Sequence, residues 1–234
     1  MADRRNRPQA PSRGQGQIAE FVMSSAPRRN AVDHAFLDRL ADAVDDAEDR
    51  GCAVVVLRST LANVFCSGAD LTLPDAERAA VSDRLYGAYQ RMIDSPVVFV
   101  ADVAGAAVGG GAQLCLAADI CMVTPDAWFR FAGVGHGLAV AAWGLVAAVG
   151  RQAAADLCLT MRKVDAAEAV RLGLATPRRE GLPGEIARTD PAARHRLKQL
   201  LTAAVRQPLE AERDGNRCNW TGSIEGLRRG EHAD

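Results

Sequence analysis

Two apolar runs, each leading into a turn of small residues, give the chain its frame. Residues 53–57 read Ala-Val-Val-Val-Leu and residues 97–101 read Val-Val-Phe-Val-Ala. Branched and aromatic side chains without polar alternation predict strands buried on both faces. The first run leads to Ser67-Gly68-Ala69, with an acid at Asp70; the second leads to Gly109-Gly110-Gly111. Residues 112–118, short, apolar and rich in Ala and Leu, read as a buried helix. Around this frame the period changes. Val32, Phe36, Leu37, Leu40, Val44 and Ala47 recur at helical spacing over 32–50. Val81, Leu85, Tyr89, Met92 and Ile93 do so over 75–94. Partial alternation at 17–24 predicts a strand, and 119–123 returns as another.

Further along, 141–160 reads as an apolar helix interrupted at Gly150. An amphipathic helix follows within 162–175. Asp165 is placed to cap it, Glu168 stands three residues on, and Gly173 is placed to end it. Residues 177–191 read as a polar linker, and 192–205 and 209–227 as two helices. Residues 1–16, polar with Pro, Gly and Arg, read as a disordered basic arm.

Composition narrows the class. The chain has 234 residues, enough to bury a sizeable core, and 48% of them are hydrophobic. Its formal net charge of -1 implies no nucleic-acid or membrane partner. The 6 cysteines form no CxxC pair and several lie in apolar runs, so free thiols in a reducing, cytoplasmic setting are expected. There is no metal-ligand spacing, no secretory pattern and no apolar run of membrane-spanning length. The glycine run lacks the spacing and the downstream acid of a dinucleotide fingerprint.

The two small-residue turns carry the chemistry. A strand, a glycine turn and a helix start leave backbone N–H groups unpaired and aimed outward. From local sequence alone, close packing explains the triple glycine equally well. Two such turns presenting one N–H each to a single point would stabilise an oxyanion.

The motifs at these turns resemble a known family. Phe65-Cys66-Ser67-Gly68-Ala69-Asp70-Leu71 is similar to the first signature of the crotonase (enoyl-CoA hydratase/isomerase) superfamily. Residues 98–123, with the triple glycine and Asp119, resemble its second. The likeness runs from Ala26 to Ala175, with motifs in the family's order. It implies a crotonase-like α/β fold, a spiral of ββα turns in two sheets with a helical C-terminal region. Residues 17–180 would form the core and 181–234 a shortened helical region. It implies an acyl-CoA or acyl-carrier-protein thioester as partner, coenzyme A as part of the substrate, no permanently bound cofactor, and a homotrimer or hexamer. By position, Ala69 and Gly110 supply the two oxyanion N–H groups. Arg29 falls where the family carries a basic residue near the CoA phosphates, Ala31 on the thioester path, and Ser67, Asp70 and Leu71 around the adenine and pantetheine. From the residues alone, Arg29 reads equally as an exposed loop arginine and Asp70 as a helix cap.

The acid–base positions depart from the family. Its hydratases use two glutamates; here the positions hold Gln113 and Gly133. Glutamine can hold a water but cannot take its proton at neutral pH. His136 can titrate near neutrality, yet stands where the family packs an apolar residue, so packing and catalysis both remain open. Cys66 adjoins the first turn with no base visible beside it, which argues against a nucleophile. Three functions stay in view. One is a hydratase/isomerase with acid–base groups from unusual positions. Another is decarboxylation or other enolate chemistry. The third is thioester binding without catalysis.

Overall fold

A computed structural model describes residues 16–217. The expected arm and Cys218 lie outside the described residues, apart from Gly16. So does the end of the last expected helix.

The buried runs form a parallel sheet. Strands β1 (Ile18–Met23), β2 (Val54–Ser59), β4 (Val98–Val103), β6 (Ile120–Val123) and β9 (Thr176–Pro177) pair in that order, all parallel. A second sheet holds β3 (Val64–Cys66), β5 (Ala106–Val108), β7 (Trp128–Arg130) and β8 (Val164–Asp165). One strand of each sheet precedes the second, third and fourth helices, giving successive ββα turns. Every residue of β4 is buried, as a strand covered on both faces requires.

Helices α1 (His34–Asp49) and α2 (Asp75–Asp94) form where the period predicts them. The Asp33 carboxylate caps α1 by accepting the Phe36 N–H at 2.7 Å. The predicted inward face of α2 is buried: Val81, Leu85, Tyr89, Met92 and Ile93 all belong to the core. Helix α3 (Gly110–Ala117) starts directly on the glycine turn. Helix α4 (Ala142–Thr160) breaks its helical dihedrals at Gly150, where φ is 77°. Asp165 caps α5 (Ala166–Leu172), accepting the Glu168 N–H at 2.8 Å, and Gly173 ends it at φ 83°. The Glu168 carboxylate does not complete the reciprocal capping box; it pairs with Arg162 and Arg171.

Two expectations at the C-terminal end are corrected. The stretch read as a linker begins on the last residue of β9, which pairs with β6, and contains α6 (Leu182–Ala187), which packs Leu182 and Ala187 on the parallel sheet. The two helices expected beyond 191 are one, α7 (Pro191–Arg217), continuous through Pro208. A helix-interior proline costs about 3 kcal/mol. Contacts on both sides of it offset that cost. Arg206 pairs with Asp94, Arg213 pairs with Asp83, and Leu209 is buried.

A further anchor is internal. Lys198 on α7 is only 4% exposed. Its ammonium donates to the carbonyls of Met92 (2.7 Å) and Val97 (2.6 Å) and meets the Asp119 carboxylate at 2.9 Å. Asp119 also accepts the Phe99 N–H at 2.8 Å, so the pair ties α7 to the end of α2 and to β4. Burial lowers the Lys198 pKa and raises that of Asp119, while each partner's charge opposes the other's shift. Replacing Lys198 by Met should cost about 3–5 kcal/mol in urea unfolding, because Asp119 is left as an uncompensated buried charge. The K198M/D119N pair should recover a large part of that loss.

Candidate active site

The turn after β3 is held by the N-terminal loop. Val32 bridges Ala69 in parallel: the Val32 N–H donates to the Gly68 carbonyl at 2.7 Å, and the Asp70 N–H donates to the Val32 carbonyl at 3.1 Å. Extended backbone alternates its donors, so the Ala69 N–H faces the other way. That side is occupied by the glycine turn. A Cβ on Gly110 would lie 3.8 Å from the Ala69 nitrogen. A Cβ on Gly68 would lie 2.6 Å from the Val108 carbonyl oxygen and 3.1 Å from the Gly110 nitrogen, and φ there is +88°. Only glycine allows this approach and this dihedral. Gly109, at φ 53°, turns the chain so that Gly110 opens α3. Neither the Ala69 nor the Gly110 N–H has an acceptor among the described residues.

A cavity opens onto the two turns. Ser67, Ala69, Gly110 and Gln113 line one part of it. Leu71, Arg78, Ser82, Leu85 and Tyr86 line another, with Gly133, His136, Leu138 and Val140 completing the wall. Seven of the sequence-predicted site residues therefore converge: Ala69, Gly110, Gln113, Gly133, His136, Ser67 and Leu71. Arg29, Ala31 and Asp70 do not line it. The Arg29 side chain is exposed on the preceding turn, and its carbonyl accepts the Ser67 N–H at 3.1 Å. Asp70 caps no helix; α2 begins after Pro74 without a side-chain cap. Its carboxylate accepts from Thr72 (2.9 Å from N, 2.6 Å from Oγ1) and from Arg28 at 2.8 Å. Burial opposes its ionisation, but the Thr72 hydrogen bonds and Arg28 outweigh that and hold its carboxyl below the usual range.

Gln113 is 4% exposed, and its Oε1 accepts the indole N–H of Trp143 at 3.1 Å. That oxygen already serves the protein. Trp143 stacks on Tyr89, whose hydroxyl donates to the Gly110 carbonyl at 2.9 Å. Gly133 has no room for a side chain. A Cβ there would come within 2.2 Å of a Val140 methyl and 2.8 Å of the Leu138 carbonyl oxygen. His136, in the 3-10 turn Val134–His136, is half-buried, and its Nδ1 is buried without a hydrogen-bond partner. Burial first, then the charges of Arg130 and Arg78, lower its pKa, so the ring is neutral at pH 7. Among the described residues no aspartate or glutamate lines the cavity. No group of three His, Cys, Asp or Glu side chains among them could hold a metal ion, and none of their helices is long and apolar enough to cross a membrane.

Glu212 is the residue that sequence reasoning missed. It projects from α7 and accepts the Tyr86 hydroxyl (2.6 Å), the Ala141 N–H (2.7 Å) and the Trp143 N–H (2.9 Å). It satisfies the open donors at the start of α4, where Ala141 is held at φ 76°. Burial raises its pKa, and these donors oppose the rise. Arg78 and Ser82 were missed too, although Arg78, Ser82, Leu85 and Tyr86 fall on one helical face.

The thiols are quiet. Cys66 is fully buried, donates to the Asn30 carbonyl at 3.0 Å, and burial pushes its pKa up to about 12. Cys52, Cys115 and Cys121 are buried as well, and Cys158 is half-buried.

The chain matches the model of the enoyl-CoA hydratase/isomerase family over residues 13–227. A protein of Mycobacterium bovis named a probable enoyl-CoA hydratase is 34% identical over 192 residues, covering 79% of this chain and 78% of that one. The crystal structure of a probable enoyl-CoA hydratase from Mycobacterium thermoresistibile superposes with a TM-score of 0.76 at 27% identity, over 88% of this chain and 92% of that one. An enoyl-CoA hydratase structure from Mycobacterium avium subsp. paratuberculosis shares the fold, with a TM-score of 0.78 at 24% identity over 90% of each chain.

Two outcomes check the site's construction. Glu212→Ala leaves three donors without an acceptor and should lower stability by about 2–3 kcal/mol in urea unfolding. Native-state alkylation at pH 8, read by peptide mapping, should label Cys158 before the four buried thiols, with Cys66 protected until the chain unfolds.

Proposed function

The chain belongs to the enoyl-CoA hydratase/isomerase family of the crotonase superfamily, and from that premise we propose that it binds an acyl thioester of pantetheine and stabilises the enolate formed from it. The thioester oxygen sits between the Ala69 and Gly110 N–H groups. The observation that carries this reading is the close approach of the two turns at Gly68, with both N–H groups left without acceptors among the described residues. Each such donor contributes about 3–4 kcal/mol to lowering the barrier, because it is fixed before charge develops on the oxygen. Coenzyme A enters as part of the substrate, and no further cofactor takes part. Arg29, on the exposed turn outside the cavity, is placed toward the CoA phosphates and Ala31 toward the thioester path, while Ser67 and Leu71 line the way of the adenine and pantetheine. Asp70 acts on that path indirectly, by fixing the turn.

Hydration by two glutamates is not the reaction of this site. Gln113 carries no base, and its carbonyl oxygen is engaged by Trp143. Gly133 cannot be replaced by glutamate without displacing Val140 and the Leu138 carbonyl. His136, neutral and cavity-lining, is the proton acceptor and donor at the α-carbon. The carboxylate-free lining favours a second reading, decarboxylation of a β-carboxyacyl thioester. There the C–C bond breaks, its electron pair passes into the enolate, CO2 leaves, and the α-carbon is then protonated. That reaction needs the two donors and no base for its first step.

Incubation with enoyl-, β-hydroxyacyl-, malonyl- and methylmalonyl-CoA in heavy water, read by mass spectrometry, tests this. The expected result is deuterium at the α-carbon or loss of CO2, without addition of water to the enoyl thioester. Efficient hydration would overturn the assignment of Gln113 and Gly133 as inactive positions. No reaction, with thioesters bound tightly, would leave a binding protein in place of an enzyme.

A further inference from the structure

The cavity's polar groups are unevenly placed. Near Gly110 the α2 face offers Leu85, whose Cδ2 would stand 2.8 Å from a Cβ on that glycine. One turn back stands Ser82, 8% exposed, and a further turn back Arg78, 9% exposed. All three line the cavity. Residues four apart on a helix share a face, so both side chains leave α2 on the cavity side. His136 lines the same cavity, and Arg78 is among the charges that lower its pKa, which places that charge within the cavity's electrostatic reach. Arg78 donates to the Leu73 carbonyl at 3.5 Å. A guanidinium carries five N–H donors in a fork that matches a carboxylate, so it can serve structural and ligand partners together.

We propose that this end of the cavity is a carboxylate subsite, and that the preferred substrate is the thioester of a dicarboxylic acid whose free carboxylate seats at Arg78 and Ser82. The inference rests on the thioester reading above and adds the class of acyl group. A wholly apolar acyl chain gains nothing from a guanidinium and a hydroxyl in its pocket. A carboxylate forms charge-assisted hydrogen bonds with both, in a setting where few waters compete. The seven residue steps from Leu85 back to Arg78 span about 10 Å of helix axis. The free carboxylate is therefore remote from the α-carbon. It anchors the chain and is not the group that leaves.

Calorimetric titration of the full chain with bare CoA, pentanoyl-CoA and glutaryl-CoA tests the subsite, since the two acyl chains differ in the terminal carboxylate. Glutaryl-CoA should bind at least tenfold more tightly than pentanoyl-CoA. In R78Q, checked for folding by its melting curve, that preference should shrink to under twofold. S82A should reduce it part of the way. Equal binding of the two thioesters by the unmodified protein overturns the carboxylate subsite and leaves the thioester reading intact. So does an R78Q variant that weakens bare CoA and both thioesters alike, which makes Arg78 a contact of the CoA moiety. Failure of all three to bind overturns the thioester reading, and the subsite with it.

Discussion

The site depends on two backbone turns touching with no side chain between them. The Gly68 α-carbon faces the Val108 carbonyl and the Gly110 nitrogen, and the Gly111 α-carbon faces Cys66, where an added Cβ would come within 2.3 Å of the carbonyl oxygen. Nothing larger than glycine fits at these contacts, so β3, the start of α3 and the loop at Val32 are locked at one separation. Ala69 and Gly110 inherit their positions from that lock. Hydrophobic burial around it is less specific. Phe65, Phe99 and Phe129 are fully buried in the core, and rearranged apolar residues of similar volume could take their place.

A second set of contacts lies beneath the first. Tyr89 holds the Gly110 carbonyl, Trp143 stacks on Tyr89 and holds Gln113, and Glu212 holds the start of the helix that carries Trp143. In this chain position 113 is part of the scaffold. That accounts for a glutamine at this position: its neutral amide accepts the indole N–H, with no desolvation cost for a buried carboxylate. Gly133 is a packing glycine for a similar reason, since Val140 and the Leu138 carbonyl occupy the space a side chain would need. Gln113 and Gly133 are thus each fitted to their surroundings, one by a hydrogen bond and the other by lack of space.

Much of the fold was legible in the sequence, because its elements follow local rules. The apolar runs at 53–57 and 97–101, the period of α2 and the cap at Asp165 each state their own structure. The glycine turns were legible as chemistry only through their order and spacing. What stayed hidden depends on distant partners. Pro208 argues locally for a break, and contacts with Asp83 and Asp94 overrule it. Glu212 looks like one more surface acid on an Arg-rich helix until Tyr86, 126 positions away, is found against it. The positions of Arg78 and Ser82 were readable on a helical wheel, but nothing in the sequence said which face of α2 would meet a cavity.

The placement of Glu212 has a consequence for biogenesis. The contacts that build the two glycine turns come from residues up to Arg130, whose carbonyl accepts the Gly109 N–H at 2.9 Å, and so leave the ribosome early. The carboxylate that fixes α4 and Tyr86 arrives near the end of the described chain. During synthesis the sheets and the paired turns can form while one wall of the cavity still lacks its clasp. Until then the Ala69 and Gly110 turns lack only this contact from the far end of the chain. Closure of the wall at Tyr86 and the start of α4 therefore waits on docking of the final helix.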